Sequence, residues 1–257
     1  MALELGLDGT VVLVTGGERG VGLGITQAFR RAGAVVVTCG RRPPELPAAE
    51  FLPCDVREPD QVEGLLNAVV ERHGRLDVLV NNAGGAPHAR AAEASPRFHE
   101  KVVGLNLLAP LLVSQRANEV MRHQESGGVI VMVSSVSATR ASPGTAAYGA
   151  AKAGLDNLTA SLAVEWAPKV RVNALDVGPV RTELSALHYG DAEGIAAVAR
   201  TIPLGRMAEP LDVGHCAVFL ASPLAGYVSG ATLLVHGGGE APAFLAASNA
   251  KLPSSEP

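Results

Sequence analysis

Cysteine, histidine clusters and long apolar runs are scarce or missing in this chain of 257 residues, and each absence excludes a class of protein. The three cysteines, Cys39, Cys54 and Cys216, are far apart in the sequence and form no CxxC pair, which disfavours a disulfide framework and a zinc site. The seven histidines form no HExxH motif and no close cluster with cysteine, so we predict no metal site. Dispersed thiols are typical of a reducing compartment, and we predict a cytoplasmic location.

A strong charge of one sign and a membrane-spanning segment are also missing. The formal net charge of −4 at pH 7 argues against nucleic acid or an anionic membrane as the main partner. No apolar run approaches the roughly 20 residues that span a bilayer, and no amino-terminal stretch resembles a signal peptide. We therefore predict a small-molecule partner, with no nucleic acid and no membrane.

Short β-branched segments alternate with amphipathic stretches of helical length. The predicted strands are Thr10–Gly16, Ala34–Gly40, a weaker Ala49–Val56, Arg75–Gly84, Gly128–Ser135, Val170–Leu175 and Ala231–Gly239. Between them lie helical patterns such as Asp60–Gly74, which follows Pro59 and ends at glycine. Strands that are apolar on both faces and separated by helices form a covered parallel sheet. The pattern predicts an α/β protein: one Rossmann domain over residues 1–240, with a doubly wound, mostly parallel, seven-stranded sheet. We expect the tail, 241–257, to fray or to pack on a neighbouring subunit.

A glycine-rich turn, TGGERGVG at 15–22, follows the first strand and precedes an apolar helix. Gly16, Gly20 and Gly22 allow a tight turn and bring backbone N–H groups to a pyrophosphate at the helix amino terminus. The strand before the turn and the helix after it favour a dinucleotide site over a glycine turn without a ligand.

The second predicted strand ends in TCGRR, which bears on the choice of dinucleotide. Gly40 stands where an NAD-selective site usually carries an acid. Arg41 and Arg42 follow, and Arg19 lies within the glycine turn; guanidinium groups suit the 2′-phosphate of NADP. The alternative is that these arginines are solvated surface charges. Glu18 would repel that phosphate if its carboxylate pointed there, and NAD therefore stays an alternative. The arginines make NADP the favoured cofactor.

A tyrosine and a lysine stand one helical turn apart among small residues in AAYGAAKAG, 146–154. Tyr148 and Lys152 therefore face the same way. A free phenol has a pKa of about 10, and a nearby ammonium stabilises its phenolate, which suits Tyr148 to act as general acid for a ketone or general base for an alcohol. Ser135 lies at the carboxyl end of a predicted strand, where ligands bind in open α/β sheets, and its hydroxyl can hold the substrate oxygen.

These motifs in this order resemble the short-chain dehydrogenase/reductase family, in its compact single-domain branch, which includes 3-oxoacyl-[acyl-carrier-protein] reductases. The resemblance covers about residues 7–239 and rests on TGGERGVG, CDV (54–56), NNAG (81–84), LNLLA (105–109), Ser135, YGAAK and VGPVRT (177–182). It implies an NADP cofactor held by Gly16, Glu18, Arg19, Gly20, Val21, Gly22, Arg41, Asp55, Val56, Asn82, Ala83, Gly84, Tyr148, Lys152, Gly178, Val180 and Thr182.

The resemblance also implies individual roles. Asp55 and Val56 would hold the adenine, and Val180 and Thr182 would contact the carboxamide. Asn106 would lie in a helix beside the site and orient a water that relays protons to Lys152; the catalytic residues implied are Asn106, Ser135, Tyr148 and Lys152. A homotetramer, or failing that a homodimer, is expected.

Two departures from the family pattern concern the loops around the site. Val177-Gly178 replaces the usual Pro-Gly and follows an unusual Asp176, which predicts a loop of different shape beside the nicotinamide. His236 replaces an acid, and we expect it to be structural or interfacial. The segment 183–204 is predicted to be the substrate lid.

The sequence therefore predicts an NADP(H)-dependent oxidoreductase that transfers hydride between nicotinamide and a carbonyl compound or secondary alcohol. A 3-oxoacyl thioester and a cyclic or secondary alcohol, including a steroid-like one, remain alternative substrates. A non-catalytic NADP-binding regulator is disfavoured because the set of Ser135, Tyr148 and Lys152 is intact. An extended-branch sugar-nucleotide epimerase is disfavoured because it needs a differently spaced glycine turn and a longer carboxyl-terminal domain.

Overall fold

A seven-stranded sheet in the order β3-β2-β1-β4-β5-β6-β7 forms the centre of the computed structural model, which describes residues 4–242 and residue 247. The strands are β1 (Val11–Thr15), β2 (Val35–Gly40), β3 (Glu50–Pro53), β4 (Val78–Asn81), β5 (Gly128–Ser135), β6 (Val170–Val177) and β7 (Thr232–Val235). Every neighbouring pair is parallel. The predicted fold class is confirmed.

Eight α-helices are described: α1 (Gly20–Arg31), α2 (Pro59–His73), α3 (Pro96–Val103), α4 (Ala109–Met121), α5 (Ala146–Glu165), α6 (Ser185–Tyr189), α7 (Ala192–Thr201) and α8 (Pro210–Ala221). A π-helical turn, Gly104–Leu108, joins α3 to α4. Alternate strand residues face opposite helical layers: Val11 and Leu13 pack with α2, α4 and α5, whereas Val12 and Val14 pack with α1 and α8. The sheet is therefore wound on both sides, as the apolar strands predicted.

Five strands end at different residues from those predicted, and the differences in β4 and β6 shape the site. β4 stops at Asn81 rather than continuing to Gly84, because the backbone N–H groups of Asn82 and Ala83 leave the ladder and donate to the Thr15 hydroxyl, each at 3.0 Å. β6 runs past Leu175 to Val177, in register with β5. Asp176 is thus a strand residue with its position fixed by hydrogen bonding on both sides.

The crossing of α1 and α8 places the amino end of α1 firmly against the rest of the molecule. A Cβ atom on Gly24 would lie 2.2 Å from the carbonyl carbon of Pro210, and one on Gly214 would lie 2.5 Å from the Gly24 oxygen. Only glycine allows two helix backbones to approach this closely. The packing fixes the helix that begins at the glycine-rich turn.

Cys39 and Cys54 are neighbours in space despite their separation in the sequence. Cys39 lies on β2 and Cys54 follows β3; a hydrogen bond with Cys54 and burial together raise the pKa of Cys39. Both thiols, and that of Cys216, are free. Their distance in the sequence did not indicate that Cys39 and Cys54 are neighbours, and no disulfide joins them.

Two further expectations concern the ends and surface of the chain. The tail predicted for 241–257 lies, apart from residues 241, 242 and 247, outside the described residues. None of the described helices is long and apolar enough to cross a membrane.

Candidate active site

The predicted site residues gather at the carboxyl edge of the sheet, around the point where the strand order reverses between β1 and β4. This reversal opens a crevice between the loops that follow the two strands, and ligands of open α/β sheets bind there. The turn after β1, the loop after β4 and the ends of β5 and β6 all meet at this edge.

The glycine turn has the backbone conformation that its sequence predicts. Gly16 and Gly20 have φ angles of +65° and +49°, which other residues rarely adopt. A Cβ atom on Gly22 would lie 2.1 Å from the Gly16 carbonyl oxygen, so a side chain cannot fit. α1 begins here with no side-chain hydrogen bond from its N-cap, Arg19, and no acid in its first turn. Its amino end can therefore receive an anion.

The loops on either side of the crevice lie against this turn. The side-chain amide of Asn82 donates to the carbonyl oxygens of Thr15 and Gly16, at 2.9 and 3.1 Å. Across the crevice, the Thr182 methyl group would lie 3.5 Å from a Cβ atom on Gly20. The structure thus brings together three predicted cofactor segments that are remote in the sequence.

Glu18 points back from the carboxyl edge of the sheet. Its carboxylate accepts hydrogen bonds from the Thr38 hydroxyl and, at 2.8 Å, from the backbone N–H of Ala48. Thr38 precedes the end of β2, and Ala48 precedes the start of β3. This geometry removes the expected opposition of Glu18 to a phosphate at the carboxyl edge.

Asp55, predicted to hold adenine, is already engaged within the protein. Its carboxylate accepts from Arg57 Nε at 2.9 Å, and its backbone N–H donates to Gln61 at 2.8 Å. The hydrogen bond from Arg57 holds the pKa of Asp55 below its usual value, and Arg41 adds to this effect. No motif marks Arg57, yet it adds a second guanidinium group beside Arg41 at this end of the crevice.

Tyr148, Ser135 and Lys152 converge as the sequence predicts. Lys152 is only 4% exposed, and its Nζ atom donates to the Val133 carbonyl oxygen at 2.7 Å and lies 5.6 Å from the centre of the Tyr148 ring. Burial lowers the pKa of Lys152 to about 8. Burial raises the pKa of Tyr148, whereas the hydroxyl of Ser135 lowers it. The three groups can bind an oxygen atom and move a proton to or from it.

The small residues of α5 allow the close packing that holds this set. A Cβ atom on Gly149 would lie 2.9 Å from the Ser137 carbonyl oxygen, and one on Gly154 would lie 3.1 Å from Leu107. The start of α5 is thus packed against the turn after β5, and its middle against the π-helical turn. Tyr148 and Lys152 are held in place by these contacts.

Asn106 is fully buried in the π-helical turn rather than in a regular α-helix. Its side chain accepts from Gly85 N at 3.1 Å and donates to the Gly85 and Val102 carbonyl oxygens, each at 2.9 Å. A Cβ atom on Gly84 would lie 2.8 Å from Asn106 Oδ1 and 3.8 Å from Lys152 Nζ. Asn106 therefore lies near Lys152 and fixes the loop after β4; its role with water stays a prediction.

Polar groups that no motif predicts border the substrate side. Arg140, after β5, forms an ion pair with Glu240, after β7. Burial raises the pKa of Tyr189, and the charge of Arg140 partly offsets this increase. Tyr189 in turn raises the pKa of Tyr148. The predicted lid thus folds as α6 and α7, with Tyr189 on the active-site side. His236 packs against Gly178 with its Nδ1 atom buried and, among the described residues, without a hydrogen-bond partner.

Comparisons with known proteins agree with this geometry. The family model described as enoyl-(acyl carrier protein) reductase matches residues 16–240. The L-fucose dehydrogenase of Bos taurus is 36% identical over 253 residues, which cover 93% of this chain and 93% of that protein. The 3alpha-hydroxysteroid dehydrogenase of Mediterraneibacter gnavus is 36% identical over 246 residues, covering 90% and 97%. Ligand-free Thermoplasma acidophilum aldohexose dehydrogenase has a TM-score of 0.88 at 28% identity, covering 98% of this chain and 100% of that one.

The family match and the related sequences each span most of the chain, and the matched region contains the glycine turn, the convergent Ser-Tyr-Lys set and the lid. The chain therefore belongs to the short-chain dehydrogenase/reductase family of NAD(P)-dependent oxidoreductases.

Proposed function

We propose that this chain is an NADP(H)-dependent oxidoreductase that interconverts a secondary alcohol and a ketone, with Tyr148 moving the proton. The observation that carries the proposal is the convergence of Tyr148 and Ser135 with the buried ammonium group of Lys152 at the carboxyl edge of the sheet. Beside them, Gly16 and Gly20 have positive φ angles and the amino end of α1 has no side-chain cap, which fits a cofactor pyrophosphate.

Each residue of the set has a distinct role. The Ser135 hydroxyl orients the substrate oxygen, and Tyr148 donates its proton to a ketone or accepts one from an alcohol. The Lys152 ammonium favours the phenolate, and its burial keeps that interaction from being screened by water. The nicotinamide cofactor supplies or accepts the hydride when it is bound.

The preference for NADP rests on charge at the end of β2. Gly40 leaves no acid to bind a ribose 2′-hydroxyl, and Glu18 is turned back onto Thr38. Arg57 is held in an ion pair with Asp55, whereas Arg41 acts on that carboxylate without a hydrogen bond to it, so we assign the 2′-phosphate to Arg41. This arrangement supports NADP over NAD.

For the substrate, we favour a hydroxylated molecule of sugar or polyol size. Tyr189 places a phenol near Tyr148, and Arg140, which pairs with Glu240, adds a charge that acts on Tyr189. Such groups form hydrogen bonds with hydroxyl groups and cost free energy when an apolar ligand leaves them unpaired. The names of two similar proteins, an L-fucose and an aldohexose dehydrogenase, are consistent with this choice.

A 3-oxoacyl thioester is the second candidate. Leu184, Leu187 and Leu204, all in the predicted lid, are exposed apolar side chains that an acyl chain could cover. The matching family model is described as an enoyl-(acyl carrier protein) reductase. This reading predicts that substrate affinity increases with acyl-chain length.

The test is turnover of the purified protein with NADP⁺ or NAD⁺ and a panel of aldoses, polyols and hydroxysteroids, and with NADPH or NADH and 3-oxoacyl thioesters. We expect oxidation of a hydroxylated substrate, with a higher kcat/KM for NADP⁺. Arg140→Leu should raise the KM for that substrate at least about tenfold, whereas Arg116→Leu, an exposed arginine on α4, should leave it unchanged.

Each other outcome has a definite meaning. A higher kcat/KM with NAD⁺ contradicts the cofactor assignment. Turnover only of thioesters, or equal KM values in Arg140→Leu and the parent protein, contradicts the substrate assignment. Tight NADPH binding without turnover of any substrate favours the non-catalytic regulator.

A further inference from the structure

Two carboxyl groups beside Lys152 have no part in the proposed reaction. Asp176 on β6 is completely buried, and among the described residues no donor makes a well-formed hydrogen bond to its carboxyl oxygens, although Ser134, the Ser135 backbone and the carboxyl group of Asp156 lie close enough to lower its pKa. The Oδ1 atom of Asp156 on α5 is also buried and, in the same part of the chain, unpartnered. Burial of an unpaired carboxylate costs on the order of several kcal/mol. Two such groups at one place therefore call for a functional explanation.

The backbone places both groups directly against the catalytic lysine. Tyr148, Lys152 and Asp156 follow one another at intervals of one helical turn, so they form a single stripe on α5. β6 lies under this stripe, with Asp176 in register with Ser134 of β5. The Ser134 hydroxyl in turn donates to the Lys152 carbonyl oxygen at 3.4 Å.

Two adjacent buried carboxyl groups cannot both ionise readily, because each disfavours the charge of the other. Burial raises the pKa of Asp176, and burial together with the neighbouring Asp176 raises the pKa of Asp156 to about 6. The pair therefore retains a proton to a higher pH than separate aspartates do. Near neutral pH it carries a negative charge next to a buried ammonium group.

We propose that Asp156 and Asp176 are positioning residues that hold a shared negative charge beneath Lys152, keep its ammonium group protonated and so set the pH range in which Tyr148 transfers a proton. The inference rests on the proposed function of Tyr148 and Lys152. Lys152 is the cation that acts on both carboxyl groups. Asp176 also raises the pKa of Tyr148 directly; on the other side, Tyr189 from α6 raises it to a smaller extent, and Arg140 acts on Tyr189.

The sign of the effect follows from charge. Burial lowers the pKa of Lys152, and both Asp156 and Asp176 raise it. Removal of either negative charge therefore lowers the pKa of Lys152, and the lysine loses its proton at a lower pH. The alkaline limb of ketone reduction should move to lower pH by at least about 0.5 unit.

The experiment compares pH profiles of kcat/KM for ketone reduction in the parent protein, Asp156→Asn and Asp176→Asn, which keep the shape of the side chain and remove its charge. The matched control is Asp77→Asn, a buried aspartate paired with Arg75 at the opposite edge of the sheet. We expect an acid-ward shift in both test variants and none in Asp77→Asn. An unchanged profile, or a shift to higher pH, overturns the proposal.

A second readout needs neither substrate nor cofactor, so it separates this proposal from the proposed function. Carboxyl-carbon NMR of aspartate-labelled protein should show one group titrating near pH 6, assigned by its loss in Asp156→Asn. In Asp176→Asn, the Asp156 signal should titrate at lower pH because its like-charged neighbour is gone. If both groups have lost their protons by about pH 4, the proposal that they share a charge is overturned. This holds whether or not the parent protein turns over any substrate.

Discussion

At the scale of single residues, the site owes its chemistry to burial as much as to residue type. Lys152 is shielded from water, and burial lowers its pKa to about 8, while Asp156 and Asp176 act in the opposite sense. The same burial raises the pKa of Tyr148, and the Ser135 hydroxyl partly offsets it. A Tyr-x-x-x-Lys spacing on an exposed helix would have none of these effects.

The carboxyl group of Asp156 should lower stability at neutral pH. Its pKa is raised from 3.8 to about 6 in the folded protein. The protonated group therefore adds its full contribution to the free energy of unfolding below pH 3.8, and this contribution is lost as the pH rises through 6. Asp156→Asn should therefore be more stable than the parent protein above pH 6, on the order of 1 kcal/mol after allowance for partial exposure. Urea unfolding at several pH values measures this; a gain that persists unchanged at pH below 3.8 contradicts it.

The sequence predicted that Tyr148, Lys152 and Ser135 meet, but not what surrounds them; their role in proton transfer stays a prediction. Tyr148 and Lys152 share one helix, and Ser135 ends a strand, so local spacing was sufficient. The pairing of Arg140 with Glu240 depends on how the segment after β5 meets the segment after β7. No local pattern encodes such a contact between distant segments.

At the scale of elements, the crossing of α1 and α8 holds the cofactor turn in place. A Cβ atom on Gly214 would lie 2.5 Å from the Gly24 oxygen and 2.8 Å from the Ala28 methyl group. Gly214→Ala should therefore lower the free energy of unfolding by about 1–3 kcal/mol through overpacking, and should weaken NADPH binding as α1 shifts.

The matched control is Gly64→Ala on α2, where a Cβ atom would meet nothing within 4 Å. Alanine has the higher helix propensity, so this variant should gain roughly 0.5–1 kcal/mol. Denaturant unfolding of both variants gives the comparison. Equal stability of the two variants would show that the crossing tolerates a side chain.

The order and type of the elements followed from the sequence, whereas some of their ends did not. The helix predicted over Asp60–Gly74 is observed as Pro59–His73, and Gly74 has a φ angle of +74°. Asn82 was predicted to continue a strand, but its side chain and N–H turn back to Thr15. Here hydrogen bonds between strands are exchanged for hydrogen bonds that involve side chains. This exchange depends on the neighbouring strand, which the local sequence does not specify.

At the scale of the whole molecule, exposed apolar side chains suggest how copies of the chain associate. Val164 on α5 is 80% exposed, and Tyr227 and Leu234, before and on β7, are also exposed. β7 is the edge of the sheet, where a second copy can add its own strand or cover the apolar surface. The family resemblance implies interfaces at the long helices around Asn106 and Tyr148 and at the last strand, and these exposed positions lie on α5 and at β7; the homotetramer remains a prediction.

Light scattering tests that prediction. The parent protein should have the mass of four chains, and Val164→Asp should reduce it, because a charge is costly in an apolar interface. Leu46→Asp, on a loop and 90% exposed, is the matched control and should leave the mass unchanged. A monomeric parent protein contradicts the prediction.

The most direct test of the central claim, that Tyr148 transfers the proton, is turnover in Tyr148→Phe compared with Tyr189→Phe, with NADPH affinity measured in both. The two variants lose the same hydroxyl group from neighbouring positions. We predict that Tyr148→Phe binds NADPH like the parent protein and loses about 100- to 10,000-fold in kcat, whereas Tyr189→Phe keeps kcat within about tenfold. Turnover by Tyr148→Phe at the parent rate would contradict the account.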